Sequence, residues 1–220
     1  MKTMELAVPS LAEAAADALR QLIVSGQLRP NDRVRERDFA QRLGVSRTPL
    51  RAAMQQLQGE GFVTGNPRKG VLVSPLSVEE ITGSYQLLAA LERASLLHTP
   101  GVSSEMLRRL RTASRIRNSG TNDVERLRMA DLEWHRALTD YTSNRSLRAM
   151  LQAPRRMIER YERAFFRNGE EVELSTKQHD EIESAVKRGQ LEEAADLVEA
   201  HWLGNIPAMA EIIERSGAGA

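Results

Sequence analysis

A chain of 220 residues with 41% hydrophobic and 4% aromatic side chains fits two modest, helix-rich domains better than one large one. A formal charge of +1 excludes a polycation, and the lack of cysteine excludes disulfides, thiolate metal sites and thiol catalysis. No apolar run approaches the roughly eighteen residues of a membrane span, and the chain opens without a signal-type apolar block. No membrane association and a cytoplasmic location are therefore expected. The charge is unevenly spread. Residues 1–75 hold eleven Lys/Arg against seven Asp/Glu, and residues 76–220 hold twenty against twenty-three. A basic front with a mildly acidic back suits a nucleic-acid reader joined to a different module.

Residues 1–9 read as a flexible N-terminus. Ser10 then precedes Leu11, Ala15, Ala18, Leu19, Leu22 and Ile23, a helical stripe ending near Ser25-Gly26. Leu28-Arg29-Pro30-Asn31-Asp32 is turn chemistry, with Val34 in a short strand. From Glu36 to Arg51 the pattern is two short helices joined by a tight turn. Phe39, Ala40 and Leu43 form the apolar stripe of the first, and Gly44 stands where a helix can end. Ser46 is placed to cap the second helix, which leaves Arg47, Thr48 and Arg51 on its exposed leading turns and sends Leu50, Met54 and Leu57 inward. Phe62-Val63-Thr64 and Val71-Leu72-Val73 flank a basic, glycine-containing tip, which predicts a hairpin wing.

The expected fold is mainly α: a winged helix-turn-helix over 10–74, a linker at 75–78, and an all-α antiparallel six-helix bundle over 79–215. Ser77 with Glu80 three residues on is a capping box. Helical patterns cover 77–98, 103–118, 122–142, 144–167, 171–188 and 190–214, broken at Thr99-Pro100-Gly101, Ser119-Gly120, Ser143-Asn144, Asn168-Gly169 and Arg188-Gly189.

The leading turns of a second helix are what the DNA major groove sees in a helix-turn-helix. Arg47 and Arg51 lie four apart on one face. Arginine can fork onto guanine O6 and N7, and Thr48 can bond a phosphate or touch a thymine methyl. Arg37 lies on the preceding helix, where backbone contacts are usual. Arg68 and Lys69 at the wing tip can follow the phosphates or enter the minor groove. The plainer reading is that these are solvated surface charges. Cap, apolar stripes and winged hairpin in order favour double-stranded DNA as the partner.

In the back half Asp131 and His135 are four apart, so both project from one helix face. His179 and His201 fall early on the last two helices, and His98 is the remaining histidine. One Asp with three His suits zinc or another divalent first-row metal, and bundle helices can converge such ligands. By spacing alone, scattered histidines are more often surface or hydrogen-bonded core groups than ligands.

The runs Gln27–Val34, Leu43–Met54, Gly61-Phe62-Val63 and Lys69-Gly70-Val71, above all Ser-Arg-Thr-Pro-Leu-Arg at 46–51, resemble the winged helix of the GntR family of bacterial repressors. In that family the positions matching Arg37, Ser46, Arg47, Thr48, Arg51 and the wing glycine Gly70 contact DNA, and members bind short palindromes as dimers. Asp131–His135, Ser143–Leu147, His179–Ile182, Ala185–Gly189 and Ala194-Ala195 leading to His201 resemble the FCD effector domain of the FadR branch, in its VanR-like division. That resemblance implies Zn, Ni or Mn, zinc foremost, held by Asp131, His135, His179 and His201, with a small organic acid beside the metal. It also implies a homodimer, whose interface is expected around Leu88–Leu97 and Leu107–Ile116. Relatives commonly carry an arginine where Leu88 stands, a residue suited to gripping an effector carboxylate. With Leu88 there, a carboxylate must rely on the metal or the ligand must carry less charge. Arg93 substitutes only in another helix register, and Asn144 is a candidate polar wall of the effector pocket or a helix cap. Trp134, Phe165, Phe166 and Trp202 are expected in the core or an interface.

The expected function is a DNA-binding transcriptional regulator, a repressor in most of the family, controlled by a small effector near a divalent metal. A metal-dependent enzyme using the same Asp/His set is the alternative. Glu133 points to another helix face, so no general base accompanies the set. A purely architectural DNA binder does not suit the large, near-neutral back half.

Overall fold

The computed structural model describes residues 10–66, 70–167 and 169–215. The chain divides into two compact units, Met1–Pro75 and Leu76–Ala220.

The first unit holds α1 (Leu11–Val24), α2 (Glu36–Leu43), α3 (Arg47–Gly59) and a hairpin of β1 (Val63–Asn66) and β2 (Gly70–Val73). A reciprocal capping box starts α1: the Ser10 hydroxyl accepts the Glu13 N–H and the Glu13 carboxylate accepts the Ser10 N–H at 2.7 Å. Gly44 ends α2 at φ +66°, where the Gly44 and Val45 N–H groups return to the Gln41 and Ala40 carbonyls. That left-handed conformation costs an L side chain roughly 1 kcal/mol even in open space. Gly44→Ala is therefore expected to lower stability by about 1 kcal/mol, read as a shift of the urea midpoint. The strands pair antiparallel, Val63 opposite Val73 and Asn66 opposite Gly70, and a single bridge from Arg33 to Leu72 adds the short extended piece expected near Val34. Leu19, Leu50, Ala53, Leu57 and Phe62 are all but inaccessible in the core of this unit, where α1 packs on α3.

The second unit is entirely helical among the described residues: α4 (Val78–Leu97), α5 (Ser104–Arg117), α6 (Val124–Thr139), α7 (Arg145–Met150), α8 (Gln152–Phe165), α9 (Gly169–Lys187), α10 (Leu191–Gly204) and α11 (Ile206–Arg215). Six helical stretches were expected and eight helices are present. The stretch 144–167 breaks at Leu151 and the stretch 190–214 at Asn205. Each break is followed within three residues by a proline, Pro154 or Pro207. Proline lacks an N–H and is tolerated in a first helical turn, where that N–H has no intrahelical partner anyway.

The α4 helix is apolar on several sides and lies against α6, α7, α8, α10 and α11, as expected of a helix at the centre of a core. Its start departs from a simple capping box. Ser77 accepts the Glu80 N–H, but the Glu80 carboxylate takes the Tyr161 hydroxyl, which in turn accepts the Ser77 N–H at 3.1 Å. Leu76, expected in a linker, is buried in this core. Because α4 is central, Leu87 and Leu97 are its large apolar side chains that remain exposed. No helix among the described residues is long and apolar enough to cross a membrane.

Candidate nucleic-acid interface and metal centre

Alternating contacts decide which face of α3 is presented. Leu50, Ala53, Met54 and Leu57 are buried, so Ser46, Arg47, Thr48 and Arg51 are exposed, as is Arg37 on α2. Ser46 occupies the N-cap position with extended backbone, φ −73° and ψ 168°, yet its side chain makes no capping bond. The expectation that its hydroxyl caps the helix is corrected: the N-terminal N–H groups of α3 keep no side-chain cap, and such groups are natural phosphate donors. Arg51 forks onto Glu36 at 3.0 and 3.2 Å, an exposed pair. Such surface pairs contribute little to stability, so a base edge or phosphate can replace Glu36 at small cost. Gly70 opens β2 at φ +80°, a conformation that favours glycine. Arg68 and Lys69 lie outside the described residues.

In the second unit, Asp131 and His135 come from α6, His179 from α9 and His201 from α10, and all are buried. One ligand atom from each histidine falls within 4.8 Å of the others. His179 Nε2 is 3.2 Å from His135 Nε2, and the Asp131 oxygens stand 3.6 Å from His179 Nε2 and 3.8 Å from His135 Nε2. His98 stays apart, at the exposed C-cap of α4, its Nδ1 on the Ala94 carbonyl.

The protonation of the cluster follows from its neighbours. Burial pushes Glu92 up, but the His135 ring and the Arg155 guanidinium outweigh it and hold the carboxyl at about 2. A carboxylate only accepts, so His135 Nδ1, 2.7 Å from Glu92 Oε2, carries a proton and Nε2 is the nitrogen that faces His179. His201 Nδ1 donates to Gln178 Oε1 at 2.8 Å. Burial lowers His179 well below the usual imidazole range and His201 to about 3, so both are held neutral, the form that ligates metals. His179 Nδ1 has no hydrogen-bond partner among the described residues. Three imidazoles, those of His179 and His201 held neutral, and a carboxyl that burial pushes up thus converge in a buried spot, a donor set that fits a divalent first-row cation. His135 has the orienting carboxylate typical of a metal-bound imidazole.

The carboxylate of Glu92 accepts from His135, from Arg155 Nη2 at 2.9 Å and from Trp202 Nε1 at 2.9 Å, and Arg155 also donates to Thr139 Oγ1 at 2.6 Å. Neither Glu92 nor Arg155 was recognised from the chain as part of a site. The signal is nonetheless there: Glu92 sits in the stripe of Tyr85, Leu88, Ser95 and Leu96, and Arg155 in that of Leu151 and Ile158. A charge on a buried face needs a buried partner. Glu92→Ala strands the Arg155 guanidinium, and unfolding in urea is expected to show a loss of about 3–5 kcal/mol.

Two small cavities adjoin the histidines. One, lined by Tyr85, Asp131, Glu162, His201 and Asn205 among others, holds about 20 Å³, room for little more than a water molecule. The other touches Glu92, Asp131, His135, Arg155 and Glu162. Glu162 borders both and is pushed up to about 8, by burial first and then by Asp131. Leu88 is fully buried in the bundle core, and Asn144 caps α7 by accepting the Ser146 and Leu147 N–H groups; neither lines these cavities. Arg93 does not line them either: it pairs at the surface with Asp196 at 2.8 Å and Glu199 at 3.2 Å. Glu133 pairs with Arg109 away from the histidines. Trp134 and Trp202 are buried beside the cluster, Trp134 with its ring centroid 4.0 Å from that of His179, and Phe165 and Phe166 pack in the same core.

Residues 11–73 match the gntR family of bacterial regulatory proteins, and residues 84–204 match the FCD domain. The chain is 30% identical to the Nta operon transcriptional regulator of Aminobacter aminovorans, over 87% of this chain and 91% of that protein. It is 25% identical to the HTH-type transcriptional regulator YdhC of Bacillus subtilis (strain 168), over 89% of each. In fold it is similar to the crystal structure of a transcriptional regulator, GntR, from Rhodococcus sp. RHA1, with a TM-score of 0.72 at 24% identity over 94% of this chain and 99% of that one. It is similar also to McbR/YncC of E. coli, with a TM-score of 0.74 at 17% identity over 93% and 99%. Both halves of the chain match the same kind of protein, and it belongs to the gntR family of bacterial regulatory proteins: a DNA-binding transcriptional regulator with an FCD domain, not an enzyme.

Proposed function

We propose that this regulator is a homodimeric repressor that reads a palindromic operator with Ser46, Arg47, Thr48 and Arg51. Arg37, Arg68, Lys69 and the backbone at Gly70 hold the phosphates. A divalent metal, zinc foremost, sits among Asp131, His135, His179 and His201 and forms part of the site for a small organic acid. The observation that carries the sensing half is the convergence of three buried histidines and Asp131 with His135 already oriented by Glu92. When bound, the metal supplies a Lewis-acidic centre to which a carboxylate can attach. Glu92 and Gln178 orient the ligating rings, and Trp134 and Trp202 exclude water around them.

Dimerisation follows from reach, since one recognition helix contacts too few base pairs for specificity in a genome. A signal in the helical unit acts by population shift: the ligand favours one arrangement and so changes how the paired recognition helices meet the operator. The test is titration of duplexes tiled from the region upstream of the gene, at moderate salt, with sedimentation of the complex. Two chains per duplex are expected, with binding at least about a thousandfold tighter than to scrambled DNA. Equal affinity for both duplexes, or one chain per site, would overturn it.

A further inference from the structure

Arg117, the last residue of α5, is 6% exposed. Its Nε and Nη1 have no hydrogen-bond partner among the described residues, and Nη2 reaches only Ser114 Oγ, at 3.5 Å. The guanidinium lies 5.4 Å from the centre of the Trp134 ring. Asp131, Asp180 and Glu183 act on it through space, and burial outweighs them, lowering its affinity for a proton. Buried guanidinium groups are normally paired, and this one uses its donors hardly at all.

The same side chain lines a cleft of about 650 Å³ between the end of α5, the loop that follows it, the start of α6, residues 166–167 after α8, and α9. That volume is in the range that holds small molecules. The walls are apolar at Val124, Leu127, Phe166 and Val172, and polar groups such as Asn122 stand beside them. The charged side chains of the lining, Arg117, Arg167 and Glu173, sum to one positive charge. Of the two charged groups on the outer wall, Arg167 and Glu173, each offsets the other, so nothing there supports a second negative charge on an occupant.

We propose that this cleft binds a small organic monocarboxylate with an apolar body, and that Arg117 is the group that grips the carboxylate. The planar fork of arginine takes a carboxylate with two parallel bonds. Arg117 would then do from α5 what Leu88 cannot do from α4. This deepens the reading that the helical unit senses a small acid, but it places the acid's charge on Arg117 instead of on the metal. Trp134 lies against both Arg117 and His179, so one ring separates the guanidinium of the cleft from the histidine cluster.

The experiment uses the full chain stripped of metal, with benzoate as probe and benzamide as its neutral counterpart, followed by calorimetry. Benzoate is expected to bind saturably, at least tenfold tighter than benzamide. Arg117→Met should weaken benzoate at least tenfold while leaving benzamide binding unchanged, since it removes the donors of the grip and little else from the cleft wall. Val172→Trp, which fills the cleft and leaves Arg117 in place, should weaken it as well. Equal affinity for benzoate and benzamide, or unchanged benzoate binding in Arg117→Met, overturns the proposal. So does benzoate binding that appears only after zinc is restored, an outcome that would leave the metal-centred reading of the regulator intact. Failure of operator binding, by contrast, strikes at that reading and not at the cleft.

Discussion

Replacing Arg47 and Arg51 together with alanine is expected to lower operator affinity at least about a hundredfold, since each base-reading arginine contributes about 1–3 kcal/mol of discrimination. The thermal midpoint should hardly move. Both side chains are exposed, and the Arg51–Glu36 pair that is lost is a surface pair. Fluorescence anisotropy with the operator and a scrambled duplex separates two roles. A residue that reads bases loses the ratio between the duplexes. A residue that holds phosphate lowers both affinities alike and reduces the salt slope by about one. Arg37→Ala is expected to behave in the second way. If the double variant keeps wild-type affinity for the operator, α3 is not the recognition helix.

Stripping the metal should have the second largest effect. A ligand present at about a thousand times its dissociation constant stabilises the folded state by about 4 kcal/mol. In a domain of this size that corresponds to a shift of roughly 10 °C in the thermal midpoint. Chelation is expected to cause such a fall in the wild type and none in His179→Ala, whose ring is completely buried at the cluster. Elemental analysis should give one zinc, nickel or manganese per chain in the wild type and none in the variant. Glu92→Gln keeps the volume and removes the charge that orients His135, so metal affinity should fall about 10- to 100-fold. A midpoint unmoved by chelation in metal-loaded wild type would leave the three histidines as core hydrogen-bonding groups.

Much of the molecule was legible from local chemistry. The helix that follows Ser10, the helix end at Gly44 and the antiparallel pairing of residues 63–66 with 70–73 are decided by neighbours within a few residues. Asp131 and His135 were found because a spacing of four on a helix is itself a geometric statement. What escaped detection depends on distant partners or on competition. Glu92 and Arg155 meet across 63 positions, and each looks like an ordinary surface charge until its helix face is known to be buried. The helix breaks at Leu151 and Asn205 escaped because the apolar stripe runs on through both, while Pro154 and Pro207 are compatible with a first turn as well as with a kink. Ser46 has the residue type and backbone of a cap, but its hydroxyl does not take up that bond. Arg117 could not have been found from the chain at all, since what marks it is the lack of a partner for its Nε and Nη1.

One measurement reaches the central claim, that occupancy of the helical unit controls the DNA-reading unit. Operator affinity should be determined for the same preparation of full-length protein in zinc-loaded and metal-stripped form, and zinc affinity determined with and without operator. The expected result is a change of about 5- to 150-fold in operator affinity, with the same factor appearing in the zinc titration, because linkage between two binding equilibria is reciprocal. Identical operator affinities in the two forms, at zinc concentrations that fill the site, would contradict it.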